Sequence, residues 1–193
     1  MTLALNERNN RGMEIKRLRR SSGLTQKEFS TRYQIPLKTL QNWETDTSSP
    51  SARTCPTYVV SLLRRAVMED FTVARNLLEA DVDMPHLIAI EQAKDKIIKS
   101  PLSGYVKDVV LYGSTARGKA KPTSDVDILL VLDERIKKNS RYNDWITYLK
   151  GNISSDDYTI PEADLHVVFD EKWRDNKDAY FSNIKKEGFS IWS

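Results

Sequence analysis

The sequence predicts an α+β chain, with an all-α domain over its first third and a small mixed α/β domain over its last half. Three observations carry this. Apolar residues recur at helical spacing between capping residues from Met13 to Glu44. Three short apolar runs, Val106–Tyr112, Val126–Leu132 and Glu162–Phe169, read as strands. Charge also breaks along the chain: residues 1–65 hold 12 Lys and Arg against 5 Asp and Glu, and residues 66–193 hold 18 against 22. Surface scatter accounts poorly for such a swing at a plausible boundary. It suggests two domains with different partners, the first of them polyanionic.

Composition narrows the class. With 193 residues, 39% of them hydrophobic and 30% charged, the chain suits a soluble globular protein rather than a disordered one. No apolar run approaches the ~20 residues that span a bilayer, and the N-terminus lacks a signal-peptide pattern. A single cysteine, Cys55, excludes an internal disulfide framework. These features predict a cytoplasmic protein with no membrane contact.

Met1 to Arg11 is polar and reads as a flexible lead-in. A helix follows from Met13 and stops at Ser22-Gly23, where glycine suits the position after a helix end. Thr25 caps a second helix, Gln26 to Tyr33, with Glu28 as the reciprocal partner of a capping box. Pro36 opens a third, running to about Glu44 with Leu37, Leu40 and Trp43 on one face. Thr45 to Pro56 is a Ser/Thr/Pro-rich loop in which Cys55 has no evident role, and Tyr58 to Val67 is a helix closing the first core. The expected boundaries are a first domain over 1–66, a helical connector over 67–100 broken near Asp83-Met84-Pro85, and a second domain over 101–193.

Two short helices joined by a brief turn make a helix-turn-helix candidate. The stretch LRRSSGLTQKEFSTRYQIPLKTLQNWETDTSSP resembles the lambda-repressor/Cro (XRE) type of DNA-binding domain at Leu24-Thr25-Gln26, Phe29, Ile35, Thr39-Leu40, Trp43-Glu44 and Pro50. The resemblance implies that the helix from Pro36 to Trp43 enters the major groove with Lys38, Thr39, Gln41 and Asn42, while Gln26 contacts the DNA backbone. It also implies operator DNA as partner and a homodimer on a pseudo-palindrome. The sequence departs from the family at Ser30, where a small Ala is usual, and at Gln34 and Asp46, where Gly is usual.

The second domain turns on Leu111 to Asp133, LYGSTARGKAKPTSDVDILLVLD. A strand ends at a Gly113-Ser114 turn, a basic loop follows, and Ser124-Asp125-Val126-Asp127 opens the next strand. Strand side chains alternate faces, so Asp125 and Asp127 point the same way. Such a pair can bridge Mg²⁺ ions, which take one or two carboxylates together with substrate phosphates, and two such ions can activate an attacking oxygen and stabilise a leaving one. A third carboxylate from a neighbouring strand would complete the set. Asp164 is the best-placed candidate, although Glu162 and His166 share its face. Gly113 lets backbone approach phosphate, Ser114 offers a hydroxyl and an N–H, and Arg117, Lys119 and Lys121 supply cations. His86 and His166 read as structural or surface residues, and Trp145, Trp173 and Trp192 as core or partner-interface residues.

Gly-Ser, ten residues, then Asp-x-Asp between two strands resembles the minimal nucleotidyltransferase (MNT) group of the DNA polymerase β-like superfamily, over the last half of the chain from about Ile98. The resemblance implies a small mixed α/β nucleotidyltransferase domain that moves AMP from ATP to an acceptor hydroxyl. Gly113, Ser114, Arg117 and Ser124 would bind the nucleotide, and Asp125, Asp127 and Asp164 two Mg²⁺ ions, with Asp164 helping to deprotonate the acceptor. It further implies an antitoxin of a toxin–antitoxin system, acting on a tyrosine of a HEPN-type toxin ribonuclease and repressing its own operon. Two other functions fit the same motifs: a regulator that only senses nucleotide, and a small-molecule (antibiotic) nucleotidyltransferase. The second is disfavoured by the short catalytic domain.

Overall fold

In the computed structural model, which describes residues 2–45 and 52–192, the chain divides into two units, Met1–Leu78 and Glu79–Ser193. Asp46 and Pro50 lie outside the described residues.

Among the described residues the regular elements of the first unit are all helices: α1 (Thr2–Ser21), α2 (Gln26–Arg32), α3 (Leu37–Glu44), α4 (Thr57–Asp70) and α5 (Thr72–Glu79), the last closing at the boundary. Helix α1 starts well before Met13, so the polar lead-in is helical rather than irregular. Its residues are mostly good helix formers with no proline, and propensity extends the helix where no apolar stripe marks it. Gly12 lies within α1 because the Trp43 carbonyl comes close; a Cβ there would meet that oxygen at 2.5 Å. Ile15, Leu18, Phe29, Leu40, Leu63 and Val67 form the core. Cys55 lies in the loop before α4 as expected, but it is fully buried and belongs to that core, which corrects its reading as a residue without a role. Burial pushes its thiol up to about 11, so it stays protonated and packs as a small hydrophobe.

The turn between α2 and α3 is a helix-ending motif with an unusual occupant. The Ile35 N–H donates to Ser30 O at 3.0 Å and the Gln34 N–H to Thr31 O at 3.4 Å, while Gln34 takes φ 53°. This is the left-handed position that glycine fills at least cost. Gln34→Gly is therefore expected to stabilise the first unit by about 0.5–1 kcal/mol, the relief of strain outweighing the added chain entropy. Denaturant unfolding checks this, and a loss of stability would refute it. Gly23, also left-handed at φ 71°, ends α1 as expected.

The second unit is a four-stranded sheet of order β3-β2-β1-β4, from β1 (Val106–Tyr112), β2 (Val126–Leu132), β3 (Ala163–Phe169) and β4 (Phe189–Ser190). Strands β1 and β2 run antiparallel, β2 and β3 parallel, and β4 pairs antiparallel with β1. Among the described residues four α-helices accompany it: α6 (Met84–Lys99), α7 (Gly113–Ala116), α8 (Ser140–Asn152) and α9 (Ala179–Glu187). Helix α6 packs against β2 and β3, and α8 against β3. The opposite face holds Val110, Tyr112, Leu129 and Val131, covered by Ile184 and Phe181 of α9 and by Trp173. Helix α9 leads through Gly188 into β4 at the end of the unit. Among the described residues no helix is long and apolar enough to cross a membrane.

Candidate functional site

In the first unit, the capping box of Thr25 and Glu28 fixes the start of α2. Leu40 is buried, and by helical geometry Lys38 and Asn42 lie on the opposite side of α3, flanked by Thr39 and Gln41. Lys38 is exposed and the other three are partly exposed. Gln26 is engaged within the unit: its side-chain amide donates to Glu44 Oε2 at 2.9 Å. Arg19 grips the same carboxylate with two bonds, Nε to Oε1 at 2.8 Å and Nη2 to Oε2 at 3.0 Å. The first turn of α2 is thus tied to the end of α3 through one buried glutamate.

In the second unit, the carboxylates gather where β1 ends and β2 begins. Tyr112 is paired with Asp127 across the β1–β2 ladder, and Asp127 with Asp164 across the β2–β3 ladder. Backbone register, rather than side-chain choice, therefore sets these neighbours side by side. Asp125 lies two residues before Asp127 and is exposed, as is Asp164, while Asp127 is half-buried. Gly113 explains the closeness of the turn to the site. It adopts φ 72°, and a Cβ there would fall 1.9 Å from Asp127 Oδ2. Only glycine meets both demands. Glu162 and His166, which share Asp164's face, are exposed, and the His166 ring lies 5.2 Å from that of Tyr180.

Gly113 also begins α7, a single turn where the sequence suggested an open loop. Ser114 is half-buried, and its carbonyl accepts from Lys119 N at 3.0 Å. Thr115 is buried and donates its hydroxyl to the Asp125 carbonyl at 3.3 Å. The Ser124 hydroxyl accepts from Lys121 N at 2.9 Å, and the Arg117 guanidinium pairs with Glu187 at 2.5 Å. Those two candidate nucleotide ligands are engaged within the chain, whereas Lys119 and Lys121 are exposed.

Burial, and then the charges of Asp164 and Asp125, hold the Asp127 carboxyl above the usual carboxylate range, with Arg117 opposing. The Tyr112 and Tyr180 hydroxyls meet at 2.8 Å beside this group, and burial raises both phenols. Among the described residues no three His, Cys, Asp or Glu side chains close on one point. Asp164 and Asp125 are near enough for their charges to act on Asp127. An all-oxygen, mutually repelling donor set of this kind fits Mg²⁺, which keeps waters and substrate oxygens in its shell.

Four contributors were missed from sequence: Thr115, Glu187, the Tyr112–Tyr180 pair and His86. His86 is fully buried, with Nδ1 2.6 Å from Asp83 Oδ1 and Nε2 3.1 Å from the Ser124 carbonyl. An Asp three residues before a His at a helix start was the one available signal. A cleft of about 630 Å³, lined by Lys96, Trp145 and Tyr148 among others, lies between α6 and α8. It includes Pro101, which leads into the start of β1, so it sits away from the carboxylates at that strand's other end. Trp173 is a buried core residue, and Trp145 is partly exposed in that cleft.

Comparison with known proteins agrees with both halves. A helix-turn-helix family model matches residues 15–56, and a nucleotidyltransferase domain model matches residues 94–189. No curated protein matches the sequence. A crystal structure described as that of a "putative nucleotidyltransferase from Sulfolobus solfataricus" matches at 20% identity, covering 61% of this chain and 87% of that one, with a TM-score of 0.34. The chain carries an XRE-type helix-turn-helix domain followed by a nucleotidyltransferase domain.

Proposed function

We propose that the second domain transfers AMP from ATP to a hydroxyl, with Asp125, Asp127 and Asp164 carrying the chemistry. The observation that supports this most is the seating of the Asp127 carboxylate against Gly113, with Asp164 beside it in register. Gly113 and Ser114 hold the triphosphate through backbone N–H groups and the Ser114 hydroxyl. Arg117, near enough to influence Asp127, adds positive charge when it shares or leaves Glu187. Asp164, exposed at the sheet edge, takes the acceptor proton as the new P–O bond forms and pyrophosphate departs. Two Mg²⁺ ions, held by the three aspartates, would neutralise phosphate charge and activate the attacking oxygen.

The resemblance to minimal nucleotidyltransferases extends the proposal. The acceptor is a tyrosine of a HEPN-type toxin ribonuclease, and the chain is a cytoplasmic antitoxin. Its first domain binds operator DNA as a homodimer through Lys38, Thr39, Gln41 and Asn42, and so represses its own operon.

Labelled ATP, Mg²⁺, the chain and its neighbouring gene product test this together. Wild type is expected to label the partner and Asp127→Asn to fail; equal labelling by both would sink the transferase reading. ATP binding without transfer, with operator affinity changing, would instead mark a nucleotide-sensing regulator. The same variant has a stability signature. The folded state raises the Asp127 carboxyl, so it binds that proton more tightly than the unfolded chain does, and stability falls as pH rises through the raised value. At neutral pH in chelator, Asp127→Asn is expected to melt higher than wild type, whereas Mg²⁺ should raise the melting point of wild type more. A variant that melts lower in chelator would contradict this account of the site.

A further inference from the structure

Arg117 follows α7 directly, and its guanidinium donates from Nη1 to Glu187 Oε1 at 2.5 Å. The arginine side chain is 42% exposed and the glutamate 19%, a setting in which an ion pair adds little to stability. The pair is nevertheless fixed, and from the glutamate side. Helix α9 carries Glu187 and is fastened along its length. At its start the Tyr180 hydroxyl meets that of Tyr112 at 2.8 Å. In its middle Phe181 and Ile184 pack in the core with Val110, Tyr112 and Leu129. Just past its end, a Cβ on Gly188 would meet Val110 Cγ1 at 3.0 Å and the Leu111 carbonyl oxygen at 3.2 Å. Phe189 then pairs with Leu111, which lies two residues before Gly113. The β1–β4 ladder thus delivers Glu187 to the turn, and the longer arginine comes to it.

The pair also lies beside the carboxylates, since the charges of Arg117 and Glu187 both act on Asp127, with opposite sign. A guanidinium carries five N–H groups in a planar fork. Among the described residues that of Arg117 makes this one bond, which leaves Nε and Nη2 free to donate. An arginine steadied through one nitrogen keeps its others for the oxygens of a phosphate chain. We propose that Glu187 is a positioning residue for nucleotide binding, holding Arg117 by Nη1 so that the rest of the fork faces phosphates bound beside Gly113 and Asp127. A carboxylate so placed has one other role open to it, repulsion of the phosphates. The two roles differ in sign: removing a repelling charge tightens binding, and removing a positioning one weakens it. Positioning must also act through Arg117, whereas repulsion acts without it.

The phosphate contact rests on the proposed transferase site, whereas the hold on Arg117 does not, and the test separates them. NMR relaxation of the Arg117 Nε–H in the full chain reads the hold. That group is expected to be ordered in wild type and in Glu187→Gln, whose amide oxygen still accepts from Nη1, and mobile in Glu187→Ala. An Arg117 as mobile in wild type as in Glu187→Ala overturns the inference. Calorimetry with Mg²⁺·ATP, and with inorganic tripolyphosphate as a ligand lacking base and sugar, reads the consequence. Glu187→Ala should weaken both about tenfold, the scale of a charge-assisted hydrogen bond, and Glu187→Gln should recover most of that loss. In an Arg117→Ala background, Glu187→Ala should change neither affinity. Tighter binding by Glu187→Ala, or an equal loss with and without Arg117, overturns the positioning role. If wild type binds neither ligand, the nucleotide site fails and the positioning role with it, while relaxation still decides whether Glu187 holds Arg117.

Discussion

Gly113→Ala is expected to lower nucleotidyl transfer by about a hundredfold or more, the scale at which small misplacements of reacting groups act. The added methyl would need the space of Asp127 Oδ2, 1.9 Å away, and a left-handed backbone that disfavours any side chain by about 1–2 kcal/mol. Two distinct costs are thus predicted, and they can be separated. The double variant Gly113→Ala/Asp127→Ala removes the clash but not the backbone strain, so part of the lost stability should return while activity stays absent. Single-turnover transfer and denaturant unfolding on the same samples decide the matter. A Gly113→Ala protein with wild-type turnover would mean that Asp127 does not need the seat the turn provides.

The second large effect lies in the first unit. Glu44→Ala is expected to destabilise that unit by about 3 kcal/mol, because removing one partner of a buried pair strands the other. The glutamate side chain is 3% exposed and that of Arg19 12%, so water cannot readily replace the lost carboxylate. Gln26 loses its acceptor at the same time, freeing the first turn of α2 from the end of α3. Operator affinity, read by shift assay at several salt concentrations, should therefore fall although Glu44 is not among Lys38, Thr39, Gln41 and Asn42, the residues of α3 proposed to bind DNA. Glu44→Gln, which keeps acceptor oxygen while removing charge, should recover part of both losses. A change below about 1 kcal/mol in Glu44→Ala would place this contact among ordinary surface pairs.

Strands β1 and β2 were legible in the sequence to the residue, because their apolar runs end abruptly at Tyr112 and begin abruptly after Asp125. The capping box at Thr25 and Glu28 was equally plain, since both partners are local. What escaped the sequence depended on distance along the chain or on lack of pattern. Arg117 finds Glu187 seventy residues away, and His86 finds Ser124 thirty-eight away. No local rule marks such pairs. Cys55 sits among polar neighbours in sequence yet packs in the core, a choice made by tertiary structure alone. Strand β4 has two residues, too few for any period to show, and the start of α1 rests on propensity without an apolar face. The Asp127–Asp164 adjacency lay between: the strands were readable, but the parallel register that joins those two residues was not.

The segment between β1 and β2 also has a consequence for chain length. Its first half is anchored by α7, by Gly118 against the Ala80 carbonyl and by the Lys119 bond to Ser114, and its last two residues by the His86 and Thr115 contacts. Between the anchors, Lys121, Pro122 and Thr123 are exposed. Inserted residues there would loop outward from fixed ends, and doubling a loop costs only about 0.6 kcal/mol. The stretch around Pro122 is thus a graft site where a tag or recognition peptide can be carried beside the carboxylates, at the cost of the two bonds that tie Lys121 to Ser124.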